Sequence, residues 1–481
     1  MPTPVGIKAC GAYLPRSRLE RSAIAAATGW ATGARGGKAA GRRSAANWDE
    51  DALTMAVEAA RDCLAGAAPS EVQSLDFAST TFPFDDRSNA GVVATALDLA
   101  EDTRTADTAG TQRAGTTALA DALAHLGDGD GDRLVVAADR RRTRPASPQE
   151  SSYGDGAAAL LVGRGPGLLA EFLAGSTVTA DFVDHHRSSG EDYDYALEDR
   201  WVRDEGYVGI VPKAVGASLA RAGVAAAEVG HFVVQAPRRH ASAVARACGI
   251  AASAVADDLS AECGDTGAAH PLLLFAAVLE RAAAGDVVVV AGFGQGCDAL
   301  VFRVAGTPAR RPVSAALAAG VEDREYVRFL SNQGVLEMDF GMRAERDNRT
   351  SQSAAWRRHR DVTAFVGGRC RTCGTVQYPK MPGCVNPDCR ALHTQDDHRL
   401  ADTPGRVKTY TEDWLAFSRS PPLVYGNVAF EGGGNVFIEF SDTPPGSLAV
   451  GTPVGFVFRI KDFDRLRGFR RYAWKAVPVR H

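Results

Sequence analysis

One short pattern occurs twice in the first 304 residues, and it constrains the fold more than any other feature. It consists of an apolar strand-like run, a Gly-x-Gly turn and a second apolar run, and it spans residues 134–162 and 287–302. Recurrence at about half the length of this region predicts two similar α/β halves, at about 1–165 and 166–305. The alternative is a pair of unrelated hairpins in a chain that contains 50 glycines.

Ala-rich stretches with helical spacing lie between the apolar runs. The predicted strands are Val5–Tyr13, Leu75–Ser79 and Arg133–Ala138, and the predicted helices are Asp51–Ala67 and Gly115–Leu126. Strands that alternate with helices are typical of a layered α/β domain, which we expect over residues 1–305.

Length, composition and charge bound the function. The 481 residues exceed one ordinary core, so we expect at least two domains. A net charge of -4 argues against nucleic-acid binding. The sequence contains no run of about 18 apolar residues, so we predict no membrane span. Its first residues do not resemble a secretory signal. We therefore expect a cytoplasmic protein.

Four of the nine cysteines are clustered, and the other five are scattered through the first 300 residues. Cys370-x2-Cys373 and Cys384-x4-Cys389 form two knuckles, which is the spacing of a four-cysteine zinc site. Four thiolates leave no open coordination position, so the predicted Zn²⁺ is structural. Residues 366–400 are predicted to form a zinc ribbon, and scattered thiols fit a reducing compartment.

The rest of the C-terminal part divides into two regions. Residues 306–365 are interpreted as a linker with helices, which are predicted at Tyr326–Met342 and Ala354–Val362. Residues 401–481 contain short apolar runs between Gly and Pro turns, which predict a small all-β unit.

Several segments between residues 5 and 304 together resemble the thiolase superfamily, especially its hydroxymethylglutaryl-CoA synthase and ketoacyl synthase III-like branch. These segments are Gly11–Arg16, Ala114–Leu119, Tyr153–Ala158, Gln235-Ala236, Gly264–Thr266 and Gly292–Asp298. The cysteine knuckles and the β-rich tail are similar to a zinc-ribbon/OB-fold domain of the domain of unknown function 35 type.

The resemblance implies a five-layered α/β/α/β/α domain of two similar halves, followed by a zinc ribbon and a small OB-type β-barrel. It also implies a coenzyme A or carrier-protein thioester as substrate, a pantetheine channel, a homodimer, and a partner enzyme bound through the OB-fold.

The catalytic residues of the resembled branch are replaced in this chain. Gln112 occupies the position of the nucleophilic cysteine, Val234 that of the histidine before Gln235, and Asp265 that of the asparagine. The segment 79–83 contains no glutamate base. A carboxamide cannot form an acyl-enzyme, so the ping-pong condensation of this branch is not expected.

Chemistry that requires only a thioester enolate needs no cysteine. The Gln112 N–H at a helix start and the Gly294-Gln295-Gly296-Cys297 turn are candidate oxyanion donors. Our main hypothesis is an aldol or retro-aldol reaction on an acyl thioester. Asp265 is the candidate base, with a pKa raised by an apolar pocket. Gln112 and Gln235 complete the expected site.

Two alternatives stay open at this point. One is a malonyl-type decarboxylase or an atypical acyltransferase, the latter with Cys263 as a displaced nucleophile. The other, of a different class, is a non-catalytic partner subunit that binds acyl-CoA. Reserve candidates for the base are Glu262, His240 and His270.

Several of these residues also have simpler interpretations. His270 precedes an apolar run and is typical of a core histidine, and Asp265 is also suited to capping a turn. The arginines of 140–144 are interpreted as a solvated face rather than a phosphate site. Cys297, like the other scattered cysteines, is interpreted as a small buried residue.

Overall fold

Strands and helices alternate along the first 335 residues of the computed structural model, which describes residues 3–33, 40–65, 69–127, 129–340 and 351–479. The strands of this region are β1 (Val5–Tyr13), β2 (Ser17–Glu20), β3 (Arg42–Ala45), β4 (Val72–Ala78), β5 (Arg104–Thr108), β6 (Asp132–Asp139), β7 (Gly156–Arg164), β8 (Ala170–Thr179), β9 (His185–His186), β10 (Tyr195–Ala196), β11 (Val229–Val234), β12 (Val287–Phe293), β13 (Gly296–Val304) and β14 (Val321–Asp323). The α-helices are α1 (Arg21–Thr32), α2 (Ala52–Cys63), α3 (Asn89–Ala96), α4 (Ala114–Ala124), α5 (Pro148–Ser152), α6 (Asp199–Trp201), α7 (Val208–Ala222), α8 (Arg238–Ala247), α9 (His270–Leu279), α10 (Pro312–Ala318) and α11 (Tyr326–Asn332).

The central feature is a nine-stranded mixed sheet in which the same pairing occurs twice. Its order is β11-β12-β13-β8-β1-β7-β6-β4-β5. In one half, β4 runs parallel to β6, which turns back antiparallel through β7 to β1. In the other, β11 runs parallel to β12, which turns back antiparallel through β13 to β8. The repeated strand–turn–strand pattern therefore corresponds to the β6–β7 and β12–β13 pairs.

Helices pack against both halves of this sheet. The two central helices, α4 and α9, each contact strands of both halves, and every residue of α9 is buried. The outer helix α2 contacts β1, β6 and β7, whereas α7 contacts β8 and β13. Helices α2 and α7 thus each pack against one half of the sheet, whereas α4 and α9 contact both halves.

The ends of the helices follow local chemistry. The predicted helix Asp51–Ala67 is observed as α2, which Asp51 and Thr54 begin with a reciprocal capping box; residues 66 and 67 lie outside the described residues. The predicted helix Tyr326–Met342 is wrong in length. It ends at Asn332, because Gly334 adopts a positive φ of 72° that terminates the helix.

The region 306–365, expected to be a linker with helices, also contains a strand. It includes α10 and β14, and its described part also includes α12 (Gln352–Arg357) and α13 (His359–Val362). The predicted helix Ala354–Val362 is thus interrupted at Arg358, whose φ of -114° departs from helical geometry. In the described part of the chain, no helix is long and apolar enough to span a membrane.

The chain divides into two compact units. The first comprises Met1–Asn47, Asp51–Gly91 and Ala100–Val335, and the second comprises Trp48–Glu50, Val92–Leu99 and Leu336–His481. The second unit contains two sheets. Their strands are β15 (Val366–Cys370), β16 (Val376–Gln377), β17 (Gln395–Arg399), β18 (Gly405–Asp413), β19 (Leu423–Phe430), β20 (Asn435–Glu439), β21 (Pro453–Asp464) and β22 (Phe469–Pro478).

The larger sheet of the second unit has the order β20-β19-β18-β21-β22. Phe440, directly after β20, pairs with Ala476 of β22, so the two edge strands approach each other and the sheet curls toward closure. Closing a sheet in this way protects its unpaired edges. The smaller sheet, β16-β15-β17, carries the cysteine knuckles.

Candidate active site

The chain segment before α4 is anchored on both sides of Gln112. Thr111 Oγ1 donates to the Gly294 carbonyl at 2.7 Å, and Arg113 Nε donates to the same oxygen at 3.0 Å. Arg113 also forms an ion pair with buried Asp298 at 2.9 Å. Gln112, between these two anchors, is buried at the N-terminal end of a buried helix, where the helix dipole favours negative charge.

The turn that we predicted as an oxyanion site lies next to Gln112, but one of its donors is already used. A Cβ on Gly294 would lie 2.5 Å from Thr111 Oγ1 and 3.2 Å from Gln112 N, so this position requires glycine. The Gly294 N–H donates to the Gly296 carbonyl at 3.1 Å, and the Cys297 thiol is buried. In the described part of the chain the Gln112 N–H has no acceptor, and it remains the available donor.

The Gln112 side chain is surrounded by polar groups. With its oxygen oriented toward Arg141, it accepts hydrogen bonds from Arg141 Nη2 at 2.5 Å and Nη1 at 2.8 Å, and His185 Nε2 lies 3.0 Å away. Gln235 approaches from the other side, with Nε2 3.3 Å from the Gln112 carboxamide. In this orientation the Gln112 nitrogen faces Gln235 Nε2, donor against donor, so Arg141 and His185 hold the amide and Gln235 does not.

Arg141 is a site residue that the sequence analysis misassigned. It is only 1% exposed, stacks 3.5 Å from the Tyr153 ring centroid and pairs with Asp194 at 2.6 Å. Burial alone would raise the pKa of Asp194, but Arg141 and then Arg187 outweigh this effect and hold that pKa below its ordinary value. The interpretation of the arginine run as a solvated face is wrong at Arg141, because a buried carboxylate compensates its charge.

The short hairpin of β9 and β10 contributes His185 and Asp194, two site residues that the sequence analysis did not identify. His185 Nδ1 lies 2.6 Å from Asp184 Oδ2, while Nε2 of the same ring faces Gln112. The hairpin also carries Asp194 to Arg141. The sequence did contain a signal for His185: the polar run Asp184–Arg187 follows β8 and has no apolar periodicity, which is typical of a functional loop.

Gln235 and Asp265 are brought together as we predicted, but their surroundings are polar. Gln235 Nε2 donates to the Gly267 carbonyl at 2.9 Å and lies 3.3 Å from Asp265 Oδ1, which also accepts from the Gly267 N–H at 2.9 Å. Asp265 is partly exposed and its backbone pairs with Tyr153. The expected apolar pocket around this carboxylate is therefore absent from the described residues, because Gln235 and the 267 turn line it.

The remaining candidates lie in other environments. Cys263 is completely buried, its thiol donates to backbone carbonyls, and burial raises its pKa to about 12. His270 Nδ1 lies 3.3 Å from the Thr266 amide nitrogen within the core. His240 pairs with Asp199 and Glu262 pairs with Arg42. None of these pairings includes Gln112.

A cleft of about 590 Å³ opens beside this network. Tyr153, Arg187 and Asp194 belong both to its wall and to the network that holds Arg141, and Arg142 and Tyr193 line it farther out. The cleft wall therefore carries side chains of both charge signs, and part of this wall belongs to the network that contacts Gln112.

The four clustered cysteines of the second unit lie close enough together to hold one metal ion. Their Sγ atoms all lie within 4.8 Å of one another, with Cys373 and Cys384 at 3.5 Å and Cys370 and Cys389 at 3.9 Å. Four thiolates at the usual Zn–S distance would lie ~3.8 Å apart. The donor set and its spacing thus fit a zinc ion.

The sequence of this chain is similar to those of several known enzymes. Residues 219–304 match the family model of the 3-oxoacyl-[acyl-carrier-protein (ACP)] synthase III C-terminal domain. The hydroxymethylglutaryl-CoA synthase of Methanosarcina mazei is 26% identical over 347 residues, which cover 69% of this chain and 99% of that protein. The corresponding synthase of Methanopyrus kandleri is 28% identical over 337 residues, which cover 68% of this chain and 95% of that protein.

Two solved structures extend this similarity to three dimensions. 3-Oxoacyl-(acyl carrier protein) synthase III, FabH, from Pseudomonas aeruginosa superposes with a TM-score of 0.55 at 24% identity, covering 63% of this chain and 98% of that one. MvaS in complex with 3-hydroxy-3-methylglutaryl coenzyme A gives a TM-score of 0.59 at 21% identity, covering 69% and 92%. The region that they cover has a thiolase-like α/β fold.

Proposed function

We propose that this chain is a non-acylating carbon–carbon bond enzyme of the thiolase superfamily that acts on an acyl thioester of coenzyme A or a carrier protein. The observation that carries the proposal is the carboxamide of Gln112 at the buried start of α4, with Arg141, His185 and Gln235 converging on it. The names of the similar proteins, which refer to coenzyme A and carrier-protein substrates, support the thioester.

A covalent acyl intermediate is not part of this proposal. A carboxamide is not a nucleophile, and no cysteine among the described residues contacts Gln112. Burial raises the pKa of Cys263 to about 12, and it also raises the pKa of Cys297, so both thiols stay protonated at neutral pH.

The reaction that we propose is aldol or retro-aldol chemistry through a thioester enolate. In the cleavage direction, a base removes the proton of the 3-hydroxyl group and the C2–C3 bond breaks. C3 becomes an aldehyde or ketone, and the electron pair moves from C2 to the thioester oxygen. The Gln112 N–H at the start of α4 is the donor we assign to that oxyanion, and one such donor contributes roughly 3 kcal/mol to a transition state. Protonation at C2 then releases the shortened thioester.

The polar side chains around Gln112 favour a catalyst over a non-catalytic acyl-CoA-binding partner. A partner that only binds acyl chains needs no buried Arg–Asp pair and no Asp–His pair beside the former nucleophile position. Retaining buried charges without a chemical use is costly, because each ion must be desolvated.

Mass spectrometry of the full chain with acyl-, malonyl- and 3-hydroxyacyl-CoA thioesters tests the proposal. We expect an aldehyde or ketone from a 3-hydroxyacyl-CoA and no change in protein mass. A stable acyl adduct would contradict it and direct attention to Cys263. Loss of CO₂ from malonyl-CoA without cleavage would replace it with a decarboxylase. Binding without turnover would contradict the enzyme proposal and support the alternative of a non-catalytic acyl-CoA-binding partner subunit.

We also propose that Cys370, Cys373, Cys384 and Cys389 hold one structural Zn²⁺ and that the β18–β22 sheet is an OB-type barrel. Zinc would supply folding free energy to the small β15–β17 sheet, which has few apolar residues of its own. We expect one zinc per chain by plasma mass spectrometry and loss of that zinc in Cys373→Ser. Cys248→Ser, outside the cluster, serves as the control and should retain it. Full zinc content in Cys373→Ser would contradict the assignment.

A further inference from the structure

The described residues contain three pairs in which an aspartate carboxylate contacts a histidine ring, and one of them differs from the others. His231 meets Asp286, and His240 meets Asp199, through the Nε2 nitrogen in both cases. His185 meets Asp184 through Nδ1 at 2.6 Å, which leaves Nε2 directed at Gln112 at 3.0 Å. A carboxylate on Nδ1 with Nε2 toward the reacting group is the arrangement that orients a histidine for proton transfer.

We propose that His185, oriented by Asp184, is the acid–base residue of the Gln112 site; the inference deepens the function proposed above and rests on it. Asp265 is the competing candidate. Its Oδ1 already accepts from the Gly267 N–H and faces Gln235, and it has no contact with Gln112 among the described residues. The ring nitrogen of His185, by contrast, directly contacts the carboxamide in the nucleophile position.

Charged groups surround the His185 ring. Asp184 Oδ1 is buried without a hydrogen-bond partner among the described residues, so no competing contact draws this carboxylate away from the ring. Asp194 and Arg141 also face the ring, and they largely neutralise each other as an ion pair. Burial and then Asp184 raise the pKa of Tyr207, so that hydroxyl stays protonated.

One histidine can perform both proton transfers of the cleavage. For the first transfer, His185 must be neutral and its Nε2 must leave the Gln112 oxygen, to which it donates in this structure. Nε2 then takes the proton of the substrate 3-hydroxyl, and the C2–C3 bond breaks to give a carbonyl compound and the thioester enolate. The imidazolium then returns that proton to C2 of the enolate, which regenerates neutral His185 without any further reactant. By microscopic reversibility, the same residue must remove a C2 proton from the product thioester.

This reversibility supplies a test that does not depend on knowing the aldol substrate. The full chain is incubated with acetyl-CoA or lauroyl-CoA in D₂O, and deuterium incorporation at C2 is measured by mass spectrometry. Cleavage of 3-hydroxyacyl-CoA is measured in parallel. The variants are His185→Gln, Asp184→Asn and Asp265→Asn, with His231→Gln as the matched control from an Asp–His pair elsewhere, each with its melting temperature recorded.

We expect exchange by the wild type, a loss of at least about 100-fold in His185→Gln and of at least about tenfold in Asp184→Asn with a shifted pH–rate profile. His231→Gln should exchange like the wild type. Exchange without cleavage would refute the aldol function and leave the assignment of His185 intact. Folded His185→Gln with wild-type exchange, or a larger loss in Asp265→Asn, would overturn the assignment. A wild type with neither exchange nor cleavage would overturn both proposals.

Discussion

At the scale of single residues, the site is defined by how buried charges are compensated. Arg141 is tolerated in the core because Asp194 and the Gln112 carboxamide satisfy its donors, and Tyr153 covers its face. A buried ion pair contributes little net stability, but removing one partner leaves the other charge in a low-dielectric environment. Arg141 and Asp194 therefore act as a unit that fixes Gln112.

Arg141 and its neighbour Arg142 should respond very differently to the same substitution. Arg141→Met removes the partner that donates two hydrogen bonds to buried Asp194, which keeps its ion pair with Arg187, and we expect a loss of about 3 kcal/mol in the free energy of unfolding. Arg142→Met breaks an exposed pair with Asp192 and should cost at most about 1 kcal/mol. Urea unfolding of both variants measures the difference, and equal losses would contradict the buried role of Arg141.

At the scale of secondary-structure elements, close backbone approaches position the site more than side-chain packing does. Gly294 places the β12–β13 turn against the segment before α4, and Gly292 leaves no space for a Cβ beside Thr116, with which it would collide at 2.1 Å. Asp139 at the end of β6 accepts hydrogen bonds from the 79–81 segment and from the Ala268 N–H, which links two loops around the site. These contacts hold the start of α4 in place.

Two glycine-to-alanine substitutions separate this positioning effect from helix propensity. Gly294→Ala should destabilise the chain by about 1–3 kcal/mol and abolish turnover, because the new Cβ meets the Gln112 backbone nitrogen at 3.2 Å. Gly216→Ala in α7 meets nothing within 4 Å and should stabilise the chain by roughly 0.5–1 kcal/mol. Thermal unfolding and activity are the measurements, and an active, fully stable Gly294→Ala would refute the close approach.

The second unit contains a buried charge cluster whose pH dependence can be predicted. Burial alone would raise the pKa of Asp49, but Lys475, at 2.9 Å, and Arg459 outweigh it and lower that pKa. A carboxylate whose folded-state pKa is depressed stabilises the fold above its unfolded pKa of about 3.9 and loses that contribution as the pH falls further.

Asp49→Asn should therefore be about 3 kcal/mol less stable than the wild type at pH 7. The difference should shrink as the pH falls below about 4, because Asp49 of the unfolded chain then binds a proton while the folded-state carboxylate still resists protonation. Denaturant titrations at several pH values measure it. Asp396→Asn, which removes an exposed partner of Arg371, is the control and should show a small, nearly constant difference.

At the scale of the whole molecule, the second unit is not a simple C-terminal appendage. Trp48–Glu50, from early in the chain, belongs to it. The Asp49 carbonyl accepts from the Ile460 N–H at 2.8 Å, and Glu50 pairs with buried Arg459 at 3.2 Å. The domain boundaries expected from the sequence, with 401–481 as a separate barrel, do not include this segment.

A fragment of residues 336–481 should consequently fail to fold by itself. Without residues 48–50, Lys475 and Arg459 lose Asp49 and Glu50 and become buried charges with fewer partners. Near-ultraviolet circular dichroism of the zinc-loaded fragment measures this expectation. A fragment with Lys475→Met and Arg459→Met serves as the control and should regain structure; a native-like spectrum of the unmodified fragment would contradict the role of residues 48–50. The homodimer, the partner enzyme and the cytoplasmic location stay predictions.

The sequence by itself determined the features that depend on local periodicity and spacing. The alternation of apolar runs predicted the α/β class, because strand and helix patterns are local properties of the chain. The motif order predicts that Gln112 stands in the position of a nucleophile, and the spacing of the two knuckles predicted the cluster of four cysteines. The tertiary structure decided what meets Gln112. Arg141 and His185 come from separate parts of the chain, and their burial depends on partners such as Asp194 that no local pattern connects to them. Whether a charge lies in the core or in solvent is settled by those distant contacts.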